Sequence, residues 1–581
     1  MENTNKIEQI RHSLAHLLGA SIMELYPGSK LTLGPAVDNG FYYDADINGK
    51  VTDADLEKIE SKMQDILKTW SKFEKKVLTK EEALGIFTGN VYKEELINQI
   101  SDKGEEITIY TSGQFFDLCR GGHIENMKEI KEDSFKLDKI AGAYWRGDEK
   151  NKMLTRIYGI AFNTKEELDA YILQQEEAKK RDHRKIGSEL KLFTISQLIG
   201  SGLPLMQPKG MIIRKEIEDF LWELHKNKDY SRVWTPHIAK KELYEKSGHA
   251  AKFGNELFRV KGGDEEFFMK PMNCPHHMQI FADNQFSYRD MPVRYFEPAT
   301  VYRYEKAGQL SGLTRVRAIT QDDGHLFCRI SQIGEEVSTI VSIIKSFYET
   351  MGMMNGYKVS LSVRGDEKDK YLGSDDVWEK AESTLEQSAK DNKLNYQIVR
   401  GEAAFYGPKL DFMFKDAIGR EWQLATIQCD FNLPERFELK FINEKGEEER
   451  PVVIHRAISG SLERFMGVMI EHFAGAFPVW LSPVQVIILP ISEHQKEYAD
   501  GIYKNLKESD VRVELDDSNE SLGKRIRNAK MQKIPYIIVL GDKEKESHII
   551  TVETRTEKLE GLSIETFMEK IQKEIKERTL N

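Results

Sequence analysis

The sequence predicts an α+β protein with several domains, and three observations lead to that fold class. Its 581 residues exceed the size of a single hydrophobic core, so about three or four domains are expected. Between residues 192 and 478, glycine-punctuated apolar runs predict an antiparallel sheet flanked by helices. Beyond residue 479, strand-like runs alternate with helical patterns and predict a small α/β domain.

In chain order, the elements form four predicted regions. Residues 1–163 mix helical patterns with turn-rich segments and predict an N-terminal α+β domain. Residues 164–190 are charge-dense with a helical period, which predicts a solvated connecting helix. Strand candidates in residues 191–478 include VWTPHI, YFEPATVYRYE and YGPKLDFMF. Residues 479–581 carry the strands VQVIIL, VRVEL and YIIVLG, with helices expected at 494–508 and 521–532.

Composition excludes several classes of protein. The N-terminal run MENTNKIEQIRHS is polar and lacks an apolar leader segment, so secretion is not expected. The longest apolar stretch, residues 478–491, is interrupted by Pro483, Gln485 and Pro490 and falls short of the ~20 residues that cross a bilayer. Four cysteines without a CxxC pair give no disulfide framework. A cytoplasmic protein without a membrane partner is therefore expected.

The charge balance limits how the chain can bind nucleic acid. A net charge of −11 argues against wrapping a nucleic acid by bulk electrostatics. Two local basic runs, residues 179–185 and 523–533, can still provide a binding face. For the first run, the alternative is an ordinary solvated helix surface.

Three residues far apart in the chain are predicted to form one metal site. A lone cysteine or histidine is more often a satisfied core residue, but these three stand in segments rich in other polar groups. Cysteine and histidine in a set of three favour zinc with coordination positions left open for a ligand. The residues are Cys274 in MKPMNCPHH, His325 in TRVRAITQDDGHLFC and His455 in VIHRAISGSLERF.

Two arginines point to an anionic substrate. Arg303 in VYRYE is expected on a strand whose alternation places Glu305 on the same face. Arg464 follows Gly460 and Ser461, which would let a helix begin close to a ligand. The guanidinium fork suits phosphate oxygens. Taken alone, each arginine could equally be a surface residue.

A second cluster lies near the N-terminus. HSLAH places His12 and His16 on one helical face, and CRGGH supplies Cys119 and His123 four residues apart. The combination of HxxxH with CxxxH by itself predicts a zinc site, and a purely structural zinc site is one alternative.

These motifs identify a resemblance to the class II aminoacyl-tRNA synthetases and, within them, to the threonyl-tRNA synthetases. It runs from His12 to the C-terminal domain, and chance agreement of so many segments in one order is negligible. The resemblance begins close to the editing helix, so a form without the small N-terminal β-rich module of many bacterial members is expected. The matching segments are RHSLAHLLG, GPAVDNGFYYD, CRGGH, KPMNCP, TRVRAITQDDGHLFC, AFYGPK, HRAISGSLERF and PYIIVLGDKE.

The resemblance implies a class II antiparallel sheet with an ATP site. VWTPHI, with Pro236, resembles motif 1, which implies a homodimer. Arg303 resembles the motif 2 arginine on the α-phosphate, with Glu305 near the adenine and Arg315 as a further nucleotide contact. Arg464 resembles the motif 3 arginine on the γ-phosphate. ATP would bind with Mg²⁺, and Lys409 would help to offset the developing charge.

The resemblance also assigns the metal a role in recognising threonine. One Zn²⁺ per subunit would bind the amino and hydroxyl groups of L-threonine, and Asp323 would accept the hydroxyl proton. Valine lacks the hydroxyl, and such a site rejects it by ~10⁴ to 10⁵. His249 would take part in proton transfer during attack by the tRNA ribose. Further substrate-binding residues implied by the resemblance are Gln321, Tyr406, Gln428 and Ser461.

One residue departs from the family pattern. The family commonly reads NCPGH where this chain reads NCPHH, so His276 stands in place of the usual glycine. A bulky side chain there could crowd the backbone around Cys274 or offer an unintended ligand. His276 is left without a role.

Serine keeps both polar groups of threonine, so a second site is expected to remove it. The loss of one methyl group is worth only ~1 to 3 kcal/mol of discrimination. The N-terminal cluster resembles the editing domain shared by threonyl and alanyl synthetases. It would hold the terminal adenosine and a water for hydrolysis of seryl-tRNA(Thr), with metal there as the weaker reading. The implied residues are His12, His16, Tyr43, Lys93, Asp117, Cys119 and His123.

The C-terminal α/β domain resembles the anticodon-binding module, with tRNA(Thr) as partner. Unpaired bases and backbone charge are what such a module reads, although each candidate could also be a solvated surface residue. Two other hypotheses remain open: a synthetase for proline or serine, and a non-catalytic RNA-binding relative. The candidate anticodon contacts are Asn519, Lys524, Arg527 and Arg555.

Overall fold

The computed structural model describes residues 2–580, with side chains from Lys6 onward. The chain divides into two compact units, the first ending at Glu176 and the second beginning at Glu177. Among the described residues, none of the helices combines the length and apolar character needed to cross a bilayer.

The first unit is an α+β structure with two sheets. One sheet has the order β1–β3–β8–β7 with β2 paired to β3, and the other has the order β4–β5–β6. The helices are α1 (Glu2–Leu25), α2 (Leu56–Leu67), α3 (Lys80–Ile86) and α4 (Val91–Asp102). The strands are β1 (Lys30–Leu31), β2 (Ala36–Val37), β3 (Gly40–Asp46), β4 (Glu74–Leu78), β5 (Ile107–Ser112), β6 (Phe115–Leu118), β7 (Phe135–Tyr144) and β8 (Met153–Ala161).

Helix α1 carries the first functional segment into the core of this unit. Ile10, Leu14, Leu18 and Ile22 recur at helical spacing and are buried against α2 and β3. Residues 13–20 of α1 are buried on every side of the helix, so the ring of His16, which points away from Leu14 and Leu18, also reaches the interior of the unit.

The predicted connecting helix consists of two helices, α5 (Lys165–Lys180) and α6 (His183–Glu189). The break occurs because the carboxylate of Asp182 accepts a hydrogen bond of 2.8 Å from the backbone N–H of Arg184. Asp182 thereby caps the N-terminus of α6. The division between the two compact units falls inside α5.

An eight-stranded sheet forms the centre of the second unit, with the order β11–β15–β16–β23–β20–β19–β17–β18. Its inner pairs are antiparallel, as predicted, and the edge pairs β11–β15 and β17–β18 are parallel. These strands are β11 (Tyr230–Arg232), β15 (Val293–Tyr302), β16 (Ala318–Cys328), β17 (Lys358–Val363), β18 (Tyr396–Arg400), β19 (Lys409–Lys415), β20 (Glu421–Asp430) and β23 (Val452–Ser461).

Smaller strands and helices surround this sheet. A separate three-stranded sheet has the order β12–β14–β13. The remaining strands are β9 (Phe193–Thr194), β10 (Leu205–Met206), β12 (Ile238–Lys240), β13 (Arg259–Gly262), β14 (Glu265–Met269), β21 (Phe441–Ile442) and β22 (Glu448–Glu449). The helices are α7 (Pro208–Lys226), α8 (Lys241–Lys246), α9 (His249–Phe253), α10 (Cys274–Ala282), α11 (Ile333–Thr350), α12 (Asp375–Asp391), α13 (Asn432–Arg436) and α14 (Leu462–His472).

Strand alternation gives the large sheet two different faces. Leu326 and Ile454 are directly opposite on β16 and β23 and join the apolar core formed with α11 and α14. On each strand, the residues next to Leu326 and Ile454 point to the other face of the sheet, which carries the polar groups. The sheet therefore has one apolar face, which packs against helices, and one face that carries polar side chains.

Two predictions for this region were wrong in detail. VWTPHI is not a strand over residues 233–237: the N–H of Thr235 donates to the carboxylate of Glu297 instead of to a neighbouring strand. β15 ends at Tyr302, opposite the first residue of β16, so Arg303 and Glu305 lie in the loop beyond the sheet.

The C-terminal part is an α/β structure, as predicted. Its sheet has the order β25–β24–β26–β27–β28, and the pairs of β24 with β25 and β26 are parallel. The strands are β24 (Val486–Pro490), β25 (Val513–Leu515), β26 (Tyr536–Leu540), β27 (Ile550–Glu553) and β28 (Lys558–Leu562). The helices are α15 (Lys496–Glu508), α16 (Leu522–Met531), α17 (Asp542–Ser547) and α18 (Ile564–Glu577).

Candidate functional site

The register of four antiparallel strands lines up the polar face of the large sheet. His325 on β16 is opposite His455 on β23, His455 is opposite Gln428 on β20, and Gln428 is opposite Lys409 on β19. Directly opposite residues share a face of a sheet. Four residues that the sequence placed in separate segments therefore form one row.

Cys274 completes the candidate metal site from outside the sheet. It is the first residue of α10 and is fully buried. One ligand atom each from Cys274, His325 and His455 lies within 4.8 Å of the others. Burial raises the pKa of the Cys274 thiol well above its usual value, a cost that a bound cation would remove. One sulfur and two imidazole nitrogens are donors that fit Zn²⁺.

Acidic and amide groups surround these three residues. Asp430 Oδ2 lies 2.8 Å from His455 Nε2, and Asn273 Nδ2 donates to Asp323 Oδ2 at 3.0 Å. Asp323 precedes His325 by two residues, which puts its carboxylate on the same face of β16. Sequence reasoning missed Asp430, whose partner His455 lies on another strand, and no local pattern marks it. It also missed Asn273, although the position of Asn273 next to Cys274 was a signal that could have found it.

The other predicted substrate residues lie along the same face. Tyr406 stacks on His455 with ring centroids 4.7 Å apart and donates to Gln428 Oε1 at 2.5 Å. Gln321 and Ser461 are opposite each other on β16 and β23, beyond an irregularity in the register. Tyr406 and Gln428 thus contact the row of His325 and His455, and Gln321 and Ser461 lie farther along the same two strands.

Lys409 and Ser461 have local partners of their own. The ammonium of Lys409 binds the carboxylate of Asp411. Ser461 caps α14 by accepting a 3.2 Å hydrogen bond from the N–H of Arg464. Gly460, with a φ of 72°, makes the turn before this cap, and a Cβ there would lie 2.7 Å from the carbonyl of Leu424. Only glycine fits that approach.

Arg303 is held beside the metal ligands. Its Nε donates to the carbonyl of Pro271 at 3.3 Å, and its guanidinium lies over the ring of Phe253. Burial lowers the pKa of Arg303, an effect that neighbouring Glu305 and Tyr406 partly offset. The guanidinium is close enough to Cys274 for the two groups to influence each other's pKa.

Arg464 and Arg315 place two positive charges close together. Burial and the charge of Arg315 lower the pKa of Arg464. Among the described residues, no group accepts a hydrogen bond from Nε of Arg464. Arg315 pairs with Glu305, 2.8 Å away. Two arginines with a buried, unused donor form a site suited to a polyanion.

His249 contacts the candidate metal site directly. It begins the short helix α9, with Nε2 3.3 Å from Cys274 Sγ and Nδ1 2.9 Å from the Ser247 hydroxyl. Burial, together with the charge of His455, lowers the pKa of His249 to about 3. The ring is therefore neutral near pH 7.

The four cysteine and histidine residues of the N-terminal cluster come together in the first unit. His12 Nε2 lies 3.3 Å from His16 Nε2 and 3.5 Å from Cys119 Sγ, which in turn lies 3.4 Å from His123 Nε2. Burial lowers the pKa of His123 to about 2 and raises that of Cys119 to about 11. The uncharged cluster can hold a ligand by hydrogen bonds or hold a metal.

A buried ionic network supports this cluster. Asp117 Oδ1 lies 2.5 Å from Lys93 Nζ, and Asp117 Oδ2 lies 3.4 Å from His16 Nδ1 and accepts the hydroxyl of Tyr43. Lys93 and Asp117 are 1% and 2% exposed. An adjoining cavity of about 420 Å³ has His12, His16, Lys93, Asp117 and Cys119 in its wall. Five of the seven predicted residues thus line one cavity, and the other two, Tyr43 and His123, contact Asp117 and Cys119.

The candidate anticodon residues differ in accessibility. Asn519, Lys524 and Arg527 are exposed, although Lys524 also pairs with Glu520 at 2.8 Å. The guanidinium of Arg555 instead donates to the backbone carbonyls of Ala476, Phe477 and Lys533. Arg555 is therefore occupied in joining the segment before β24 to the C-terminal sheet.

A third grouping of possible ligands, Asp182, His183 and Glu471, has a different explanation. His183 Nε2 accepts the N–H of Leu313 at 3.0 Å, so Nδ1 carries the proton and donates to Glu471 Oε1 at 2.6 Å. Both ring nitrogens are used. His183 is a structural link between α6, α14 and the loop before β16.

Three family models match separate parts of the chain. Residues 258–473 match the tRNA synthetase class II core domain (G, H, P, S and T). Residues 485–574 match an anticodon binding domain. Residues 107–158 match the threonyl and alanyl tRNA synthetase second additional domain.

Curated proteins similar to the chain over nearly its whole length share one name. A threonine–tRNA ligase of Porphyromonas gingivalis is 49% identical over 573 residues, which cover 97% of this chain and 87% of that protein. The threonine–tRNA ligase of Flavobacterium johnsoniae is 48% identical, with 97% and 88% covered. That of Thermotoga petrophila is 45% identical, with 100% and 90% covered.

Solved structures agree on the fold. The RNA binding domain of threonyl-tRNA synthetase from Cryptosporidium parvum superimposes with a TM-score of 0.64 at 35% identity, covering 68% of this chain and 98% of that one. Prolyl-tRNA synthetase from the same organism, bound to L-proline and AMP, gives a TM-score of 0.53 at 20% identity, covering 68% and 75%. The second likeness concerns the fold alone.

Proposed function

This chain belongs to the threonine–tRNA ligase family, and from that premise we propose how its residues carry out the reaction. The enzyme is a ligase that joins L-threonine to tRNA(Thr). Threonine and ATP give threonyl-adenylate and pyrophosphate, and the threonyl group then passes to the 3′ end of the tRNA. The observation that carries the proposal is the convergence of Cys274, His325 and His455 within 4.8 Å.

In the proposed site, Cys274, His325 and His455 hold one Zn²⁺ per subunit. When bound, the ion acts as a Lewis acid for the amino and hydroxyl groups of threonine. Asp323, fixed by Asn273, accepts the hydroxyl proton. Valine would leave that carboxylate without a donor inside a buried site, a loss that supports rejection by ~10⁴ to 10⁵.

Adenylate formation uses the cationic residues of motifs 2 and 3. The threonine carboxylate attacks the α-phosphorus of ATP, and the bond to the pyrophosphate oxygen breaks. Arg303 offsets charge on the α-phosphate, and Arg464 and Arg315 bind the terminal phosphates with Mg²⁺. Lys409 adds a further cation on the same face. Glu305, which pairs with Arg315, would lie near the adenine.

Transfer to tRNA would use the neutral ring of His249. The terminal ribose hydroxyl attacks the adenylate carbonyl carbon, AMP leaves, and the hydroxyl proton must move to an acceptor. With a pKa of about 3, His249 stays unprotonated near pH 7, and it would accept a hydrogen bond from that hydroxyl after one ring nitrogen exchanges its contact with Cys274 or Ser247.

The N-terminal unit is proposed to hydrolyse seryl-tRNA(Thr). The family model for the second additional domain covers CRGGH and its neighbours. The terminal adenosine and a water would bind in the cavity beside His12, His16, Cys119 and His123. Lys93 and Asp117, held together with Tyr43, would position them. Hydrolysis breaks the ester bond and returns serine and uncharged tRNA.

We further propose a cytoplasmic homodimer that contacts the anticodon through its last domain. Trp234 and Ile238, which flank Pro236 in motif 1, are exposed and could be covered by a second subunit. Asn519, Lys524 and Arg527 offer exposed polar groups to the anticodon loop, and Arg555 would support the module. The domain boundaries proposed are those expected from the sequence: 1–163, 164–190, 191–478 and 479–581.

Aminoacylation of a tRNA(Thr) transcript by zinc-quantified enzyme tests this function. Charging with threonine in proportion to zinc content is the expected result. Charging with proline would favour another class II specificity, and binding of tRNA without charging would favour the non-catalytic alternative. Neither alternative explains the Cys274, His325 and His455 cluster.

A further inference from the structure

His277 lies between a candidate zinc ligand and a buried carboxylate. Its Nδ1 is 2.8 Å from Nδ1 of His325, and its Nε2 is 3.0 Å from Oε2 of Glu297. All three residues are buried. Each ring nitrogen of His277 therefore has one specific partner.

The donors and acceptors in the series His325, His277 and Glu297 follow from the candidate metal site. His325 turns Nε2 toward Nδ1 of His455, at 2.9 Å, so Nε2 is the nitrogen available to a metal and must be unprotonated. The proton of neutral His325 then resides on Nδ1 and is donated to His277. His277 accepts it at Nδ1 and must donate from Nε2 to Glu297. No donor faces another donor along the series.

Glu297 is itself held from the opposite side. Its Oε1 accepts the N–H of Thr235 at 2.6 Å, and Thr235 Oγ1 lies 3.0 Å from Oε2. The buried ammonium of Lys270 donates to Thr235 Oγ1 at 2.7 Å and lies 3.9 Å from Glu297. The carboxylate is thus fixed to the VWTPHI segment, which explains why that segment forgoes strand pairing at Thr235.

We propose that His277 and Glu297 are positioning residues that fix the tautomer and the ring orientation of His325 for metal binding. The inference rests on the proposed zinc site. The ring of His455 is oriented in the same way by one direct contact with the carboxylate of Asp430. His325 needs two residues for this, because the carboxylate of Glu297, which is opposite Asp323 on β15, reaches His325 only through the ring of His277. Such outer partners typically contribute 10- to 100-fold in metal affinity.

The adjacent residue His276 supplies a matched control. It is also buried, but neither of its ring nitrogens has a hydrogen-bond partner in the described part of the chain. His277→Leu and His276→Leu make the same chemical change one residue apart. Only the first interrupts the series from His325 to Glu297.

The experiment measures zinc affinity of the full-length protein by competition with a chelator. Wild type and His276→Leu should bind zinc with affinities within about threefold of each other, and His277→Leu should bind it about 10- to 100-fold more weakly. After replacement by Co²⁺, the visible absorption bands of His277→Leu should shift relative to both. A merely structural role for His277 would not alter the ligand field of the metal.

Each outcome distinguishes the positioning role of His277 and Glu297, called the relay here, from the zinc site itself. If His277→Leu matches His276→Leu in zinc affinity and Co²⁺ spectrum, the relay is wrong while the zinc site stands. If wild type itself binds no zinc, both proposals fail. If His277→Leu does not fold, Glu297→Gln decides the question, because its amide turns a donor toward either His277 or Thr235. It should lower zinc affinity about tenfold, and an unchanged affinity would overturn the relay.

Discussion

His325 and His455 face each other across neighbouring antiparallel strands, with Nε2 of His325 2.9 Å from Nδ1 of His455. Burial, together with the charge of His455, lowers the pKa of His325 well below its usual value. His325 is therefore neutral, the form in which histidine binds metals. A pair of imidazoles this close, with a cysteine beside them, forms a donor set that could hold a metal ion.

Cys274→Ser should remove the metal and threonine activation together. Serine keeps the size of the side chain but gives up the thiolate that zinc prefers. Bound zinc should fall from about one per chain to near zero, and threonine-dependent ATP/pyrophosphate exchange should fall at least about 100-fold. Cys429→Ser, at a buried cysteine facing the apolar core, should keep its zinc. Full exchange activity in metal-free Cys274→Ser protein would remove zinc from the mechanism.

Asp323→Asn should reduce the preference for threonine over valine. The amide can no longer accept the threonine hydroxyl proton without reorienting its contact with Asn273. The kcat/KM for threonine should fall about 100-fold while that for valine stays unchanged. Asp322→Asn, on the opposite face of β16, should leave the ratio of the two amino acids intact. An unchanged ratio in Asp323→Asn would assign hydroxyl recognition elsewhere.

Arg464→Ala should slow adenylate formation. Loss of a preorganised cation at the developing phosphate charge typically lowers kcat by about 10² to 10³. Arg464→Lys should recover only part of the rate, since ammonium cannot form the bidentate contact. Single-turnover adenylate formation measures the effect, and a change below about threefold would show that Arg464 does not contact the reacting phosphates.

His12→Ala combined with His16→Ala should separate editing from synthesis. Both residues lie in the N-terminal unit, so threonine activation should remain at the wild-type rate while Ser-tRNA(Thr) accumulates. Deacylation of preformed Ser-tRNA(Thr) measures the loss directly. Glu8→Ala, an exposed position on the same helix, provides the control. Clearance of the misacylated tRNA at the normal rate by the double variant would place editing at other residues.

Asp322 should make stability depend on pH. Burial raises the pKa of Asp322 to about 6, above the value near 4 expected in the unfolded chain. The folded state then holds the proton more tightly, so its stability should fall as pH rises from about 4 to about 6, by about 3 kcal/mol. Melting temperatures of wild type and Asp322→Asn across this range test the sign. The wild type should lose stability relative to the variant as pH rises, and parallel curves would contradict the raised pKa.

The ionised carboxylate of Asp322 also has a structural role in the fold. Its carboxylate accepts backbone N–H groups from Ile458, Ser459 and Gly460, at 2.8, 3.1 and 2.9 Å. These bonds hold the turn that leads into Ser461 and α14. In the QDD segment, Asp322 is thus directed toward the scaffold, and Asp323 is directed toward the candidate metal site.

The fold class and the clustering of Cys274, His325 and His455 could be predicted from sequence, because apolar periodicity and local motifs are contained in short segments. The pairing of β16 with β23 brings His325 and His455 together, and the start of α10 adds Cys274. His277 and Asp430 could not be selected in that way. Their roles depend on the register of β20 with β23 and on where α10 meets the sheet, which no local pattern specifies.

Three details of the structure differ from what the sequence predicted. The helix expected over 164–190 breaks where Asp182 caps a new helix, a local signal that the charge pattern concealed. The VWTPHI run is apolar enough for a strand, but Glu297 takes the N–H of Thr235. Arg555 looks like an RNA-binding arginine, yet backbone carbonyls from two other segments accept its hydrogen bonds. The last two depend on partners distant in sequence.

Amino-acid-dependent ATP/pyrophosphate exchange on zinc-quantified protein tests the central claim most directly. Threonine, serine, valine and proline should be compared side by side. A site that reads the hydroxyl group through zinc and Asp323 predicts strong exchange with threonine, weaker exchange with serine and almost none with valine or proline. Exchange with valine close to that with threonine, or no exchange with any amino acid by folded, zinc-bound protein, would contradict it.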